Sequence, residues 1–159
     1  MKKPFVFLFT LIALFALAIP FTTAQTPVAT NTLVLTEQQV NDSYWVSNPR
    51  NRNITNVVVD LQPGQAVISS TYTRRTTPAG QTTSVALSVT MVPSVVNGRV
   101  QWAVTNATAN GTAASGDLLN QINTHLGASW RRYISSTRPT GRLTDVTITD
   151  TELTLFYTS

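Results

Sequence analysis

From Ser84 to Met91 apolar and polar positions alternate without a break. Val85, Leu87, Val89 and Met91 fall on one side; Ser84, Ala86, Ser88 and Thr90 fall on the other. A strict period of two predicts a strand with one face buried. Weaker forms of the pattern flank it. Val57, Val59 and Leu61 predict a strand before the Pro63-Gly64 turn, and Ala66, Ile68, Ser70 and Tyr72 predict one after it. Thr76 to Gln81, with Pro78 and Gly80, reads as a loop, and Pro93 closes the clearest strand. Asn97-Gly98 is a favoured hairpin turn because both residues tolerate positive φ. It leads into a strand with Val100, Trp102 and Val104 on one face. A last hairpin pairs Leu143, Val146 and Ile148 with Leu153, Leu155 and Tyr157 around Asp150-Thr151.

In two places the period changes to that of a helix. Thr36 with Gln39 three residues on forms a capping-box pattern, and Leu35 and Val40 can staple the same end. This short helix is expected to run through Tyr44 and Trp45 until Pro49 ends it. After a small, polar loop from Asn106 to Gly116, Leu118, Leu119, Ile122, Leu126, Trp130, Tyr133 and Ile134 recur at steps of three and four. Asp117 and the pair Arg131-Arg132 suit the two ends of that helix's dipole. Gly127 inside it points to a close approach to the sheet. The order is helix, four strands, helix, two strands, with no parallel βαβ rhythm. The fold class is α+β: a mostly antiparallel curved sheet of about six strands on a long amphipathic C-terminal helix, with a short N-terminal helix.

The first residues change where this domain is expected to act. Lys2-Lys3, an apolar run from Phe5 to Phe21 and Thr22-Thr23-Ala24 form a secretory signal peptide, with cleavage expected after Ala24. Gln25 to Thr32, polar and with Pro27, belongs to a flexible lead-in that covers residues 25–34, and 35–159 form one domain. The rival reading is an uncleaved anchor, since the run is near the lower limit for a bilayer span. Removing Lys2 and Lys3 takes all lysine from the chain and lowers the net charge from +4 to +2, nine arginines against seven acids. That is too weak a basic balance to argue for nucleic acid. With zero cysteines there is no disulfide, and with no thiolate and His125 as the single histidine a structural zinc site is not expected.

Catalytic chemistry finds little to work with. His125 would have to serve any Ser–His–Asp site, no G-x-S-x-G elbow accompanies it, and it reads as a boundary residue of the helix. Asp145, Asp150 and Glu152 could offer oxygens to calcium, but Asp150 is better explained by bonds to its own turn. No cofactor or metal is therefore expected. Arg131, Arg132, Arg138 and Arg142 could dock an anionic headgroup, because guanidinium forks match phosphate; dipole complement and solvation are the plainer account. Trp45, Trp102 and Trp130 could line an apolar cavity or touch a membrane interface, though core packing is the commoner role. Asn41, Asn53, Asn106 and Asn110 each begin an N-x-[ST] sequon.

The segment Leu35-Thr36-Glu37-Gln38-Gln39-Val40-Asn41 resembles the L-T-E-x-x-[LV]-N opening of bacterial exported lipid-binding domains. These include the LmeA-like phospholipid-binding family of the tubular lipid-binding (BPI-like) fold. Asn97-Gly98-Arg99-Val100, the second helix and Leu143-Thr144-Asp145-Val146-Thr147-Ile148 follow in the same order. The resemblance implies a curved sheet around a long helix and an apolar groove for a lipid or other amphiphile. It implies a non-catalytic, secreted or periplasmic binding module. The groove would be lined by Val85, Leu87, Val89 and Trp102 from the sheet and Leu118, Ile122, Leu126 and Trp130 from the helix. Those same residues would equally make a closed core. The second reading is therefore a structural or interaction domain of the cell envelope, dry inside, that binds protein or glycan. Membrane contact is expected only through a ligand or an uncleaved leader.

Overall fold

Among the described residues, eight strands form two antiparallel sheets around a broken helix. The computed structural model describes residues 30–48, 52–76, 81–137 and 139–158. The leader, most of the lead-in, Pro49, the tip of the loop after Tyr72 and Arg138 lie outside the described residues. The larger sheet has the order β2-β3-β4-β5-β6, with β2 Arg52–Gln62, β3 Gln65–Thr76, β4 Gln81–Val96, β5 Arg99–Ala109 and β6 Thr112–Ala113. The smaller has the order β1-β8-β7, with β1 Thr30–Thr36, β7 Arg142–Ile148 and β8 Glu152–Thr158. Helix α1 is Glu37–Ser43. The second helical run is α2 (Gly116–Ile122), a π-helical segment (Asn123–Gly127) and α3 (Ala128–Thr137). The α+β class and antiparallel pairing are as expected, but the strands divide between two sheets instead of forming one of six. The helical run is 22 residues long and precedes the closing hairpin.

The expected strand faces are largely in place. Leu87, Val89 and Met91 are buried and Val85 is half-buried, while Ser84 and Ala86 are exposed. Pro63-Gly64 and Asn97-Gly98 form turns, with φ of +78° at Gly64, +52° at Asn97 and +74° at Gly98. Pro93, however, does not close β4. The strand runs on to Val96 with Pro93 opposite Trp102. On its other side β3 reaches only as far as Met91, so Pro93 stands where the strand is an edge. A missing donor breaks no ladder there.

Two bulges account for other departures. In β2 the register jumps between Thr55 and Val58, and Asn56 takes φ of +51°. Buried parity passes from Ile54 to Val59 and Leu61. In β5 the register skips Thr105, so Trp102 and Ala107 both face the core although they differ in parity. The extra residue hides the period of two beyond Val104. The predicted loop after Thr105 is therefore strand as far as Ala109, then the Asn110-Gly111 turn and β6. Likewise the end of the lead-in is not free chain: Thr30 to Thr36 pairs along its whole length with β8.

One core joins all the layers. Val59, Ile68, Val89 and Met91 from the larger sheet, Leu126, Trp130 and Ile134 from the helices, and Leu153, Leu155 and Tyr157 from β8 are all at most 2% exposed. Backbone bonds tie the sheets together, Gly64 N–H to Ile148 O at 3.0 Å and Leu143 N–H to Gly98 O at 3.2 Å. Gly127 is buried, and a Cβ there would stand 3.6 Å from Met91 Cε, the close approach to the sheet that its place in the helix suggests.

Candidate functional site

The segment Thr36 to Asn48 organises both the edge of the larger sheet and the exposed indole of Trp45. Its helix begins as expected. Gln39 N–H donates to Thr36 Oγ1 at 3.2 Å, and Thr36 N–H donates to Gln39 Oε1 at 2.9 Å. It ends earlier than expected. Ser43 Oγ–H donates back to Gln39 O, and Tyr44 already has extended backbone, φ −78° and ψ 128°. From Tyr44 the chain alternates: Tyr44 and Val46 are buried, Trp45 and Ser47 are exposed. A helix through Trp45 would have put these four residues on different sides of its axis.

Three side chains of this segment bond the free edge of β2. Asn41 Oδ1 accepts from Val59 N–H at 2.7 Å, and its Nδ2 donates to Val59 O at 2.8 Å. Asn48 does the same at Ile54, 2.7 Å from its N–H and 3.0 Å to its carbonyl. Glu37 Oε2 accepts from Leu61 N–H at 2.8 Å. Each amide thus copies the donor and acceptor of a neighbouring strand, which satisfies an edge that would otherwise template pairing. In the motif that carried the family resemblance, Thr36, Glu37, Gln39 and Asn41 are all engaged in these bonds. Asn41 also donates to Glu37 O at 3.1 Å, so its sequon nitrogen is committed to the fold. The sequon residues Asn53, Asn106 and Asn110 are exposed, though Asn110 Oδ1 accepts from Ala86 N–H at 2.9 Å.

The eight residues predicted to line an apolar groove come together in the core. Leu87, Val89, Trp102, Ile122, Leu126 and Trp130 are between 0 and 6% exposed, and Val85 and Leu118 are half-buried against them. Trp130 is the hub. Its ring meets Tyr44 edge-on at 5.3 Å, Trp102 edge-on at 5.2 Å, and Tyr133 at 5.8 Å. Such edge-to-face contacts place positive ring edges on negative faces.

The three described arginines of the predicted headgroup site make separate contacts. Arg131 turns back to donate to Asn123 O at 3.1 Å, and the Arg142 side chain lies over Gly98. Arg132 lines a surface cleft with Trp45, and Arg138 is outside the described residues. Nor do Arg131 and Arg132 end the helix, since α3 continues to Thr137. Asp117 does stand in the first turn of α2. Asp145, Asp150 and Glu152 do not converge: the Asp145 carboxylate accepts from Val146 N–H at 2.8 Å, and no three His, Asp or Glu side chains gather in a metal-binding group among the described residues. At the last turn it is Thr149, not Asp150, whose hydroxyl accepts backbone bonds, from Glu152 N–H at 3.1 Å and Thr151 N–H at 3.4 Å.

No known protein family, curated protein or solved structure matches this chain. The features that single out a site are therefore its own. The cleft that holds Arg132 has a volume of about 260 Å³ and is lined by Trp45, Ser47, Ser129, Arg132, Tyr133 and Ser136. Trp45 is 70% exposed, the most exposed of the large apolar side chains among the described residues. A second cleft of about 210 Å³ lies by Arg99, Val100 and Ser135 at the far end of α3. A wider hollow crosses the outer face of the larger sheet at Asn56, Ser69, Thr71, Ser88 and Thr108. His125 is in the π segment, half-buried, and is not among the residues that line these three surfaces.

Trp45 and Arg132 each carry a sequence signal, the one as a tryptophan suited to a core or cavity and the other as a candidate for an anionic headgroup, but nothing in residue order places them together. The cleft itself has none, because segment 44–48 and α3 are some eighty residues apart in sequence. What joins them is polar as well as apolar. Ser43 Oγ and Tyr133 Oη are 2.8 Å apart, and Tyr44 Oη–H donates to Leu126 O at 3.3 Å within the π segment. Burial pushes the Tyr44 hydroxyl well above the ordinary tyrosine range. A raised acid pKa stabilises the fold fully below the unfolded value, about pH 10, and that stability is lost as pH rises above it. Unfolding free energy should therefore fall above about pH 10, by up to about 1.4 kcal/mol per pH unit from this group. Tyr44→Phe should show a shallower alkaline decline in urea titrations between pH 8 and 11. Parallel curves for the two proteins would assign the alkaline loss elsewhere.

Proposed function

We propose that this chain is a non-catalytic, extracytoplasmic interaction domain with a dry core, which recognises its partner on its outside. The observation that carries this reading is the closure of the predicted groove: Val89, Leu126 and Trp130 are 0% exposed and belong to one packed cluster. An amphiphile between sheet and helix would have to displace them, and a packed interior resists even one added methylene. The export half of the proposal rests on the leader at residues 1–24, and the absence of disulfides is compatible with it because the core and the two sheets supply the cross-links. The surfaces left for recognition are the hydroxyl-bearing outer face of the larger sheet and the clefts beside α3, one of which is walled by the aromatic rings of Trp45 and Tyr133.

Uptake of a fluorescent fatty acid or labelled phosphatidylglycerol by delipidated protein tests the reading. No saturable uptake is expected. Stoichiometric uptake, lost in a Leu126→Trp variant that stays folded, would restore the amphiphile groove.

A further inference from the structure

We propose that the cleft between segment 44–48 and α3 binds an acidic saccharide, with Trp45 as the stacking platform and Arg132 as the reader of the carboxylate. This rests on the reading that recognition occurs outside a closed core. The cleft is built from both walls. On one, Tyr44 and Val46 are anchored in the core and Asn48 is bonded to both backbone groups of Ile54. Trp45 and Ser47 are thereby held outward with little freedom left in the backbone. On the other wall, Tyr133 is fixed by Ser43 and by ring contacts to Tyr44 at 5.5 Å and Trp130 at 5.8 Å. A platform held in advance avoids the ordering cost of binding.

The chemistry of the lining selects the ligand class. A pyranose presents an apolar C–H face and a rim of hydroxyls. The exposed indole offers a flat apolar surface to the first. Ser47 and Ser129 offer donors and acceptors to the second, and Ser136, whose hydroxyl donates to Tyr133 O at 2.8 Å, offers an acceptor. Arg132 is exposed and makes no hydrogen bond or ion pair among the described residues, so its fork is available. A single planar fork matches a planar carboxylate and repels a cationic ligand. The volume of about 260 Å³ is just below the range of roughly 300–1,000 Å³ for drug-sized ligands, which suits one sugar unit of a chain better than a lipid tail. A membrane surface is disfavoured because Trp45 lines a concave, serine-bearing cleft, whereas an interfacial anchor presents its apolar side chains outward as a continuous face.

The test uses the secreted protein and two probes, a trimer of galacturonic acid and the neutral galactose trimer. Trp102 and Trp130 are buried, so acrylamide quenching of tryptophan emission reports chiefly on Trp45. The acidic trimer should protect Trp45 saturably and bind more tightly than the neutral one. Arg132→Gln should lose about tenfold in affinity for the acidic trimer and leave the neutral trimer unchanged. Trp45→Ala, followed by calorimetry, should lose both. Both residues are exposed, and unchanged urea midpoints would show that the variants remain folded. Equal affinity for the two trimers, no effect of Arg132→Gln, or protection by phosphatidylglycerol vesicles but by neither trimer would overturn the assignment. A chain that takes up no lipid and binds neither trimer refutes the saccharide site alone, whereas lipid uptake into the core refutes the outward reading.

Discussion

Trp130→Ala should lower the unfolding free energy by about 3–5 kcal/mol, the range for deleting a fully buried aromatic side chain. Trp130 is 0% exposed and meets three other rings, those of Tyr44, Trp102 and Tyr133. Those rings are held by different elements: the chain after α1, strand β5 and helix α3. They cannot all collapse into the space an alanine leaves, so the cavity term adds to the transfer term. A domain of this size has about 5–15 kcal/mol in total, and with no disulfide to limit the unfolded chain the loss should be visible as a large drop in urea midpoint. Trp130→Phe should recover part of it by refilling the site. Trp102 remains as a fluorescent reporter of the transition. A loss under about 1 kcal/mol would mean that the indole does not pack tightly, as a residue lining an open groove would not.

The second large effect is expected at the sheet edge. Asn41→Ala should cost about 2–3 kcal/mol. It removes a donor pair and an acceptor, bonds to Glu37 O and Val59 O and from Val59 N–H, each worth about 1 kcal/mol net. It also leaves the backbone of Val59, a residue only 1% exposed, without its lateral partner. An uncovered strand edge invites a second chain to pair with it. Sedimentation velocity at low and high protein concentration should therefore show concentration-dependent association in Asn41→Ala and not in the parent. Asn41→Asp keeps the acceptor and loses the donors, so it should fall between the two. A monomeric Asn41→Ala with parental stability would remove the edge-covering role.

The same segment shows what could be read from residue order and what could not. The capping box at Thr36 and Gln39 was legible because a cap is a local event, two side chains and two backbone groups within four residues. The face of β4 was legible because a period of two needs no knowledge of the neighbour. The bulges in β2 and β5 were not, since an extra residue looks like the end of a pattern until the partner strand is known. Pro93 misled for a related reason: whether its missing N–H matters depends on where β3 stops. The early end of α1 was foreshadowed only by the alternation of Tyr44, Trp45, Val46 and Ser47, too short a run to outweigh the helical signal before it.

The binding residues divide in the same way. The eight apolar positions gather in or against one core cluster, but composition cannot separate a closed core from an open groove. The distinction lies in whether the side chains meet, and Trp130 with its three aromatic neighbours is the place where they do. The arginines grouped by sequence proximity are parted by helical geometry, which leaves Arg132 beside Trp45 while Arg131 turns to Asn123. That pairing of a guanidinium with an exposed indole came from a contact between distant segments and carried no local signature.

Native mass spectrometry of freshly purified protein decides between an inward and an outward binding surface. The closed core predicts the mass of the bare polypeptide, with no non-covalent adduct, and the same unfolding midpoint before and after organic extraction. A co-purifying mass of lipid size, whose removal lowers the midpoint and opens Trp130 to acrylamide, would contradict it.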